Sequence, residues 1–333
     1  MVTRKDVARR AYVSTATVSN VINNKPGVSE ELRKRVWDAI EELGYKPNLV
    51  ARSLKTSQTK QIALVTNGIS NPYFAAIALG MEEEAFQKGY IVCVLNARSD
   101  REYVDELLKR QFDGIVMSND KIPVSQVNRL TRYGVPVVFI GNEGYSGFDD
   151  EVILVNIDLY SGAVKVFEYL ISKGHTRIGF MAARSLQNED EPDYRLKAYK
   201  NVLSKYNIPY DPSLVHIYGD TPDYAYSSSM DMFSSFERPT AVFTGNDYLA
   251  SSVYCAARRS GLNIPDDVSI VGFNNLYLGQ YLVPALTTVD VPNFELGKKV
   301  MELLLAKMNG DSVTNVNMAT KIVIRESVKN LKK

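Results

Sequence analysis

Short polar side chains crowd one stretch near the start of this 333-residue chain. Thr15, Ala16, Ser19, Asn20 and Asn23 are all small or polar, and none is needed to complete an apolar stripe. On the exposed face of a helix, such side chains can enter the DNA major groove, where an asparagine such as Asn20 can bind adenine through two hydrogen bonds. A solvent-facing helix of a helical bundle has a similar composition, so the pattern alone leaves both interpretations open.

A second group of residues with binding chemistry lies in the body of the chain. Tyr73 and Phe74 begin a predicted helix after a predicted strand, so an aromatic face there can stack on a ligand ring. The amide of Asn246, after another strand, can both donate to and accept from a sugar hydroxyl. Core packing is the alternative for the two aromatic residues, and helix capping is the alternative for Asn246.

Catalytic chemistry finds little support in the sequence. The chain has two histidines, His175 and His216, and it lacks a Gly-x-Ser-x-Gly elbow, a phosphate-binding loop and a cluster of metal ligands. We interpret His175 as a structural turn residue. The sequence therefore predicts no catalytic residue, no cofactor and no metal site.

Three helices are predicted in the region that carries the first group. A Thr3-x-x-Asp6 capping box starts a helix over Arg4–Ala11, and a tight break follows at Tyr12 and Val13. Ser14 caps a second helix that runs to Asn23, and a third helix spans Glu30–Leu43 before Gly44. We expect a helix-turn-helix headpiece at residues 1–46.

The segment after the headpiece, residues 48–55, has helical character but is too short to be stable alone. Leu49, Val50 and Leu54 become buried if two copies pair over DNA, with Leu54 inserted into a minor-groove base step. We therefore expect residues 47–60 to be a hinge helix and linker that folds on DNA.

From Gln61 onward, short apolar strands alternate with amphipathic helices, which is typical of parallel α/β units. The series is too long for one sheet, so residues 61–333 are expected to form two lobes with a ligand cleft at the carboxyl ends of the strands. Chain crossings between the lobes are expected at Asn156–Asp158 and Leu286–Thr288. The predicted strands are Ile62–Val65, Ile91–Leu95, Ile115–Met117, Val137–Ile140, Ile178–Met181, Ala241–Phe243 and Ile270–Phe273. The predicted helices are Phe74–Lys88, Leu159–Lys173, Arg195–Lys205 and Asn246–Ser260.

Charge is divided unequally along the chain. Residues 1–60 contain 12 Lys and Arg against 6 Asp and Glu, whereas the remainder contains 27 against 32. This division fits a nucleic-acid-binding head on a body that does not bind nucleic acid. The apolar runs are far shorter than the ~20 residues that a membrane helix needs. With two widely separated cysteines, Cys93 and Cys255, the chain is expected to be a cytoplasmic, nucleoid-associated protein without membrane contact.

The stretch KDVARRAYVSTATVSNVINNKPGVSEELRKRVWDAIEELGYKPNLVARSL resembles the headpiece of the LacI/GalR family of bacterial transcriptional regulators. The body resembles the same family, and its architecture is similar to that of periplasmic sugar-binding proteins. Matching motifs include Ser70–Phe74, Phe112–Gly114, Gly174–Ile178, Thr244–Asp247 and Pro284–Val289. The resemblance implies an all-α helix-turn-helix headpiece joined to a two-lobed α/β sensor.

When the contact residues of the family are transferred by position, the resemblance adds residues to both groups. The DNA-contacting set becomes Ser14, Thr15, Ala16, Thr17, Ser19, Asn20, Asn23, Ala51, Leu54 and Lys55. The effector-contacting set becomes Asn71, Tyr73, Phe74, Arg195, Asn246 and Asn274. Many family members have Arg at the position of Asn20 and an acidic residue at the position of Asn274, so a different operator base and a different grip on the ligand are expected here. A surface ion pair is the alternative role for Arg195.

Together these patterns predict a repressor that binds a pseudo-palindromic operator as a homodimer and responds to a small molecule. A sugar or sugar derivative is the first expectation for this effector, from the family and from the polar, aromatic cleft. A phosphorylated carrier protein or a non-sugar metabolite is the alternative.

Overall fold

Two units make up the computed structural model, Met1–Thr59 and Lys60–Lys333. The structure describes residues 2–46, 58–97, 101–118, 122–142, 145–182, 193–217 and 222–332. The predicted hinge at residues 48–55 lies outside the described residues and stays a prediction, as do the predicted domain boundaries.

The headpiece contains α1 (Arg4–Arg10), α2 (Thr15–Ile22) and α3 (Glu30–Leu43). Its core is made of apolar side chains from the three helices and the segments that flank them, with Val7, Val18 and Val36 fully buried. The Thr3–Asp6 capping box is present, and the third helix spans the residues predicted for it. Tyr12 turns the chain between α1 and α2 with a φ of 52°, in the left-handed region that non-glycine residues seldom adopt.

Two six-stranded sheets form the second unit. Their strand orders are β11-β5-β4-β3-β1-β2 and β12-β10-β9-β8-β6-β7, and every pairing is parallel except that of β10 with β12. The strands are β1 (Gln61–Thr66), β2 (Ile91–Asn96), β3 (Gly114–Ser118), β4 (Val137–Asn142), β5 (Val152–Ile157), β6 (Ile178–Ala182), β7 (Val215–Ile217), β8 (Ala241–Thr244), β9 (Ser269–Phe273), β10 (Thr287–Asp290), β11 (Val316–Met318) and β12 (Lys321–Val323).

Helices connect these strands in the way that parallel pairing requires. The helices are α4 (Pro72–Gln87), α5 (Arg101–Lys109), α6 (Val124–Arg132), α7 (Leu159–Ser172), α8 (Tyr194–Lys205), α9 (Pro222–Ser234), α10 (Asp247–Arg259) and α11 (Asn293–Met308). Helices α4 and α11 pack backbone against backbone, because Gly80 faces the Phe294 carbonyl and Gly297 faces the Ile77 carbonyl. A Cβ atom at either glycine would overlap the facing oxygen.

The chain passes between the two sheets three times. It leaves the first sheet after Ile157, as predicted, and returns to it after β10, which ends at Asp290. The expected crossing at Leu286–Thr288 is therefore a few residues early, since Thr287 and Thr288 already belong to β10 of the second sheet. A third passage, not predicted, joins β11 of the first sheet to β12 of the second.

The strands and helices predicted for residues 1–46 and 61–333 are all present, within a few residues at their ends. The helices α5, α6, α9 and α11 were not predicted, nor were the strands β5, β7, β10, β11 and β12. Three of these five strands have only three residues, too few to show a periodicity. Among the described residues, no helix is long and apolar enough to cross a membrane.

Candidate nucleic-acid interface and effector cleft

Helix α2 presents the first group of predicted residues. The Ser14 hydroxyl caps the helix by accepting from the Thr17 backbone N–H at 3.0 Å, and it lies 3.0 Å from the Thr17 hydroxyl. Thr15 and Ala16 are exposed in the first turn, and Asn23 is exposed at the end. The sequence therefore folds this segment so that its first turn, where base contacts are made in helix-turn-helix proteins, carries short side chains.

The two asparagines of this surface differ in what holds them. Asn23 Nδ2 donates to the Ser19 carbonyl at 2.7 Å, so its amide is bound along the helix. The half-buried Asn20 side chain makes no hydrogen bond with the described residues. Of the two, Asn20 presents the amide whose donor and acceptor can both be offered to a base.

Two arginines of α3 brace this arrangement. Arg35 donates to the Ala11 carbonyl at 2.6 Å, at the turn between α1 and α2. Arg33 donates to Asn24 Oδ1 at 2.9 Å and to the Lys25 carbonyl at 2.6 Å, just after α2. Part of the positive charge of the headpiece is thus engaged in holding α2. The other predicted DNA contacts, Ala51, Leu54 and Lys55, lie outside the described residues.

The cleft begins at the carboxyl ends of β1 and β3 in the first sheet. Asn71 Oδ1 caps α4 by accepting from the Tyr73 backbone N–H at 3.0 Å, with Pro72 at the first helical position. The Tyr73 side chain is hydrogen bonded to Ser118, the last residue of β3, and burial raises the pKa of Tyr73 far above its ordinary value. Phe74 is buried and meets the Tyr73 ring edge-on at 5.0 Å.

The opposite side of the cleft comes from the second sheet. Asp193 caps α8, and Arg195 in the first turn of that helix reaches the Gly245 carbonyl at 2.8 Å, just after β8. Asn246 Oδ1 caps α10 by accepting from the Leu249 backbone N–H at 2.8 Å. Tyr194 acts electrostatically on Tyr73, which places it close to the first-sheet residues, and burial raises the pKa of Tyr194 to about 12.

Arg195 does form an ion pair, with Asp193, but that pair is not on the surface. The exposed fractions of the two side chains are 12% and 3%. Capping, the structural role considered for Asn246, is the role that its side-chain oxygen performs. Contacts of both residues with an effector stay predictions.

The loop after β9 holds the remaining predicted residue, Asn274. Asn274 and Asn275 have φ values of 92° and 49°, a left-handed pair that needs support because neither residue is glycine. Asn275 supplies it, since its amide donates to Asp290 Oδ1 at 2.8 Å and accepts from Arg325 at 2.7 Å. The Asn274 carbonyl accepts from Asn293 at 3.0 Å, at the start of α11.

A buried carboxyl fastens the same loop to its neighbours. Asp247 accepts from the Thr288 hydroxyl of β10 and from the Leu276 backbone N–H, each at 2.6 Å. Burial raises the pKa of Asp247 to about 7, against the opposing effect of these hydrogen bonds. Asp247 therefore links α10, beside Asn246, to the loop of Asn274 and to the strand that precedes the second passage.

The structure places the predicted residues at strand ends and helix starts in both lobes, with Tyr73 of the first lobe near Tyr194 of the second. Four further residues at these positions were missed by sequence reasoning. Ser118 directly follows a predicted strand, and Asp193 lies two residues before Arg195. Their positions at a strand end and at a helix start are the sequence features that could have identified them. Tyr194 and Asp247 adjoin predicted residues but were not singled out. His175 lies elsewhere, at the amino ends of the strands, where its ring is 3.0 Å from Thr240 Oγ1 and 3.2 Å from Ser269 Oγ.

Comparison with known proteins decides the family. A model of bacterial regulatory proteins of the lacI family matches residues 3–48, and a periplasmic binding protein-like domain matches residues 167–328. The HTH-type transcriptional repressor PurR of Klebsiella pneumoniae (strain 342) is 35% identical over 337 residues, covering 98% of this chain and 97% of that protein. The chain belongs to the lacI family of bacterial regulatory proteins.

Solved structures support the same assignment over the full length. The lac repressor dimer bound to operator and an anti-inducer has a TM-score of 0.80 at 25% identity, covering 98% of this chain and 99% of that chain. The complex of the transcriptional regulator CelR with cellobiose has a TM-score of 0.68 at 28% identity, covering 98% and 100%. The chain is thus a DNA-binding transcriptional regulator with a helix-turn-helix headpiece and a two-lobed α/β sensor.

Proposed function

We propose that this regulator represses transcription as a homodimer on a pseudo-palindromic operator and senses a neutral saccharide in the cleft of its second unit. The observation that carries the proposal is the gathering of hydroxyl, amide and guanidinium groups beside aromatic rings at the carboxyl ends of strands from both sheets. Tyr73 and Ser118 supply one side, and Tyr194, Arg195 and Asn246 supply the other. Such a mixture suits sugars, whose rings carry many hydroxyls and one apolar face.

One of the solved relatives supports a saccharide as the effector. The CelR structure has cellobiose bound, whereas the 35% identical relative is named as the HTH-type transcriptional repressor PurR, a name that specifies no sugar. Asn274, in the loop after β9, stands where related proteins often carry an acid. An amide there grips hydroxyls by both donating and accepting, without adding charge.

The homodimer is proposed from apolar side chains that the unit leaves exposed in two places. Leu79 and Phe86 of α4 and Ile91 of the edge strand β2 are exposed by 59, 80 and 66%. Tyr277, Tyr281 and Val283, after β9, are exposed by 73, 67 and 89%. A second copy is the occupant that a pseudo-palindromic operator calls for, because each headpiece reads one half-site. The related lac repressor structure is a dimer.

Selection of randomised duplexes with the full-length chain, followed by sequencing, would test the DNA role. We expect an enriched palindrome. Fluorescence anisotropy on the selected duplex would then be measured with cellobiose, ribose, other neutral sugars and, as competitors of another class, hypoxanthine and guanine. One neutral sugar should change operator affinity by roughly 5- to 150-fold.

The double variant Asp193→Asn, Arg195→Gln removes both charges of the cleft pair and should abolish the sugar response while leaving operator affinity in place. Arg177→Ala is the matched control, because Arg177 pairs with Asp211 at 2.8 Å, away from the cleft. A response to a purine alone would contradict the saccharide assignment. A response only to a protein extract would favour a protein effector.

Sedimentation would test the dimer independently of the effector. The wild-type chain should sediment at twice its 37.3 kDa mass. The variant Phe86→Glu should shift it towards the monomer, whereas Tyr133→Glu, at a side chain exposed by 67% on the surface of α6, should not. A wild-type monomer that still binds the palindrome tightly would contradict the proposal.

A further inference from the structure

The ion pair at the start of α8 is more elaborate than a helix cap requires. Asp193 Oδ1 accepts from the Arg195 backbone N–H at 2.8 Å and from Arg195 Nε at 2.9 Å. Asp193 Oδ2 accepts from Arg195 Nη2 at 2.5 Å, which completes a two-pronged contact with the guanidinium. Both side chains are almost withdrawn from solvent, with the carboxylate exposed by only 3%.

Other helices of this unit show that capping alone does not need a carboxylate. Asn71 caps α4 and Asn246 caps α10 with amide oxygens. Asp158 caps α7 through one oxygen, which accepts from the Ser161 backbone N–H at 3.0 Å. Asp193 differs because its second oxygen is directed to an arginine on the same helix, and that arginine faces the cleft beside Gly245.

The geometry of the pair bears on which ligands the cleft can admit. The two parallel N–H groups that Arg195 presents to Asp193 are those by which an arginine normally binds a ligand carboxylate or phosphate. Asp193 occupies that edge and balances the buried positive charge. An anionic ligand would place a second negative charge next to Asp193 in a poorly solvated site, where like charges repel strongly.

We propose that Asp193 is a specificity-determining residue, which excludes anionic ligands such as sugar phosphates and sugar acids and reserves the cleft for neutral hydroxyl compounds. The inference rests on the proposed function only in taking the cleft as the effector site. It adds the charge class of the effector and the residue that selects it.

The variant Asp193→Asn tests the inference without an identified effector. It keeps an oxygen for the cap and removes the negative charge that contacts the Arg195 guanidinium at two of its nitrogens. The probe is inorganic phosphate, measured by thermal unfolding of the full-length protein against sodium chloride of equal ionic strength. We expect a saturable phosphate-dependent rise in Tm for the variant, whose affinity for phosphate should exceed that of wild type by at least about tenfold, so that wild type shows no rise over the same range.

Asp158→Asn is the matched control, because it also removes a capping carboxylate, but one that accepts from a backbone N–H and from no arginine of the described residues, and it should gain no phosphate binding. The double variant Asp193→Asn, Arg195→Gln should lose the gain. Asp193→Ser, another neutral cap, provides a second test if the asparagine variant does not fold.

Two outcomes overturn the inference. One is a folded neutral variant that binds phosphate no better than wild type, and the other is saturable phosphate binding by wild type that Arg195→Gln abolishes. The saccharide proposal fails separately, if no neutral sugar affects wild-type operator binding. A gain of phosphate binding in Asp193→Asn would still establish the charge selection in that case.

Discussion

The predicted DNA-contacting residues of the headpiece lie between Ser14 and Asn23, along one short helix and its two ends, whereas the cleft residues come from five separated segments between Asn71 and Asn274. On α2, these side chains are exposed or half-buried, next to an apolar core that forms within the headpiece itself. In the cleft, nearly every polar side chain is already bonded to another part of the protein, such as Arg195 to Gly245. The first surface is a local feature of the sequence, and the second is a product of the whole fold.

The largest effect is expected from a substitution that destabilises the second unit at a distance from both surfaces. Gly297→Ala places a methyl group against the Ile77 carbonyl in the contact between α11 and α4. We expect the second unit to lose about 3 kcal/mol or more of unfolding free energy. The headpiece helices should survive, because their core is their own. Gly68→Ala, whose new Cβ would have its nearest neighbour at 3.9 Å, is the control for calorimetry and circular dichroism. Loss of both units together would contradict the contrast.

The pH dependence of the unfolding free energy tests the buried carboxyl of Asp247, which links the elements around the cleft. Because burial raises the pKa of Asp247 to about 7, the folded chain holds a proton there that the unfolded chain, with an aspartate pKa of about 3.9, has released. The contribution to stability is therefore present at low pH and is lost as the pH rises from about 4 to about 7. The slope is at most ~1.4 kcal/mol per pH unit.

Asp247→Asn should flatten this part of the profile when urea unfolding is compared with wild type across that range. Asp267→Asn is a contrasting control, since hydrogen bonds from Asn263 lower the pKa of that carboxyl. A wild-type profile that coincides with that of Asp247→Asn would show that the buried carboxyl is not protonated in the folded chain.

On the headpiece, a substitution should act at one base pair only. Asn20→Ala removes the one amide of α2 that is not bonded within the described headpiece, and operator affinity should fall by about 1–3 kcal/mol at the base pair it contacts. The salt dependence of binding should be unchanged, because asparagine neutralises no phosphate. Binding to a duplex set varied at each position measures both quantities. An equal loss on every duplex would argue against base recognition by Asn20.

The smallest expected effect separates capping from recognition. Ser14→Ala removes the cap of α2 and should lower headpiece stability by about 1 kcal/mol. Ser29→Ala removes the cap of α3, whose longer hydrogen bond of 3.4 Å predicts a smaller loss. Only the first variant should also alter base preference in DNA selection. If both variants leave the preference unchanged, Ser14 serves the fold alone.

The difference between the two surfaces also explains what the sequence could predict. Caps, a turn and an apolar stripe are local, so α3 was predicted to the residue and the strands of the second unit within a few residues. The strands β11 and β12 were missed because three residues each pair with partners far away in sequence. The second passage between the sheets was expected slightly early. Thr287 and Thr288 have polar side chains, so they were not recognised as residues of a buried strand.

For the cleft, residue types were predictable and pairings were not. The aromatic and amide residues follow strand ends, where parallel sheets place ligands. Nothing in the order of residues showed that Asp193 would pair with Arg195 or that Ser118 would meet Tyr73, because Ser118 and Tyr73 come together only when β1 and β3 pair. Sequence patterns thus predicted where a ligand binds but not how the charged side chains at that place pair with one another.

The two short strands at the end of the chain have a consequence for how the protein is made. The first sheet takes five strands from residues before 158 and its sixth from Val316–Met318, while the second sheet takes an edge strand from Lys321–Val323. During synthesis, the first lobe cannot complete its sheet until residue 318 has left the ribosome, and the second lobe cannot do so until residue 323 has. The unfinished edges of both sheets must then be shielded from other chains, so a truncated product that ends before residue 316 would expose two open edges and be prone to aggregate.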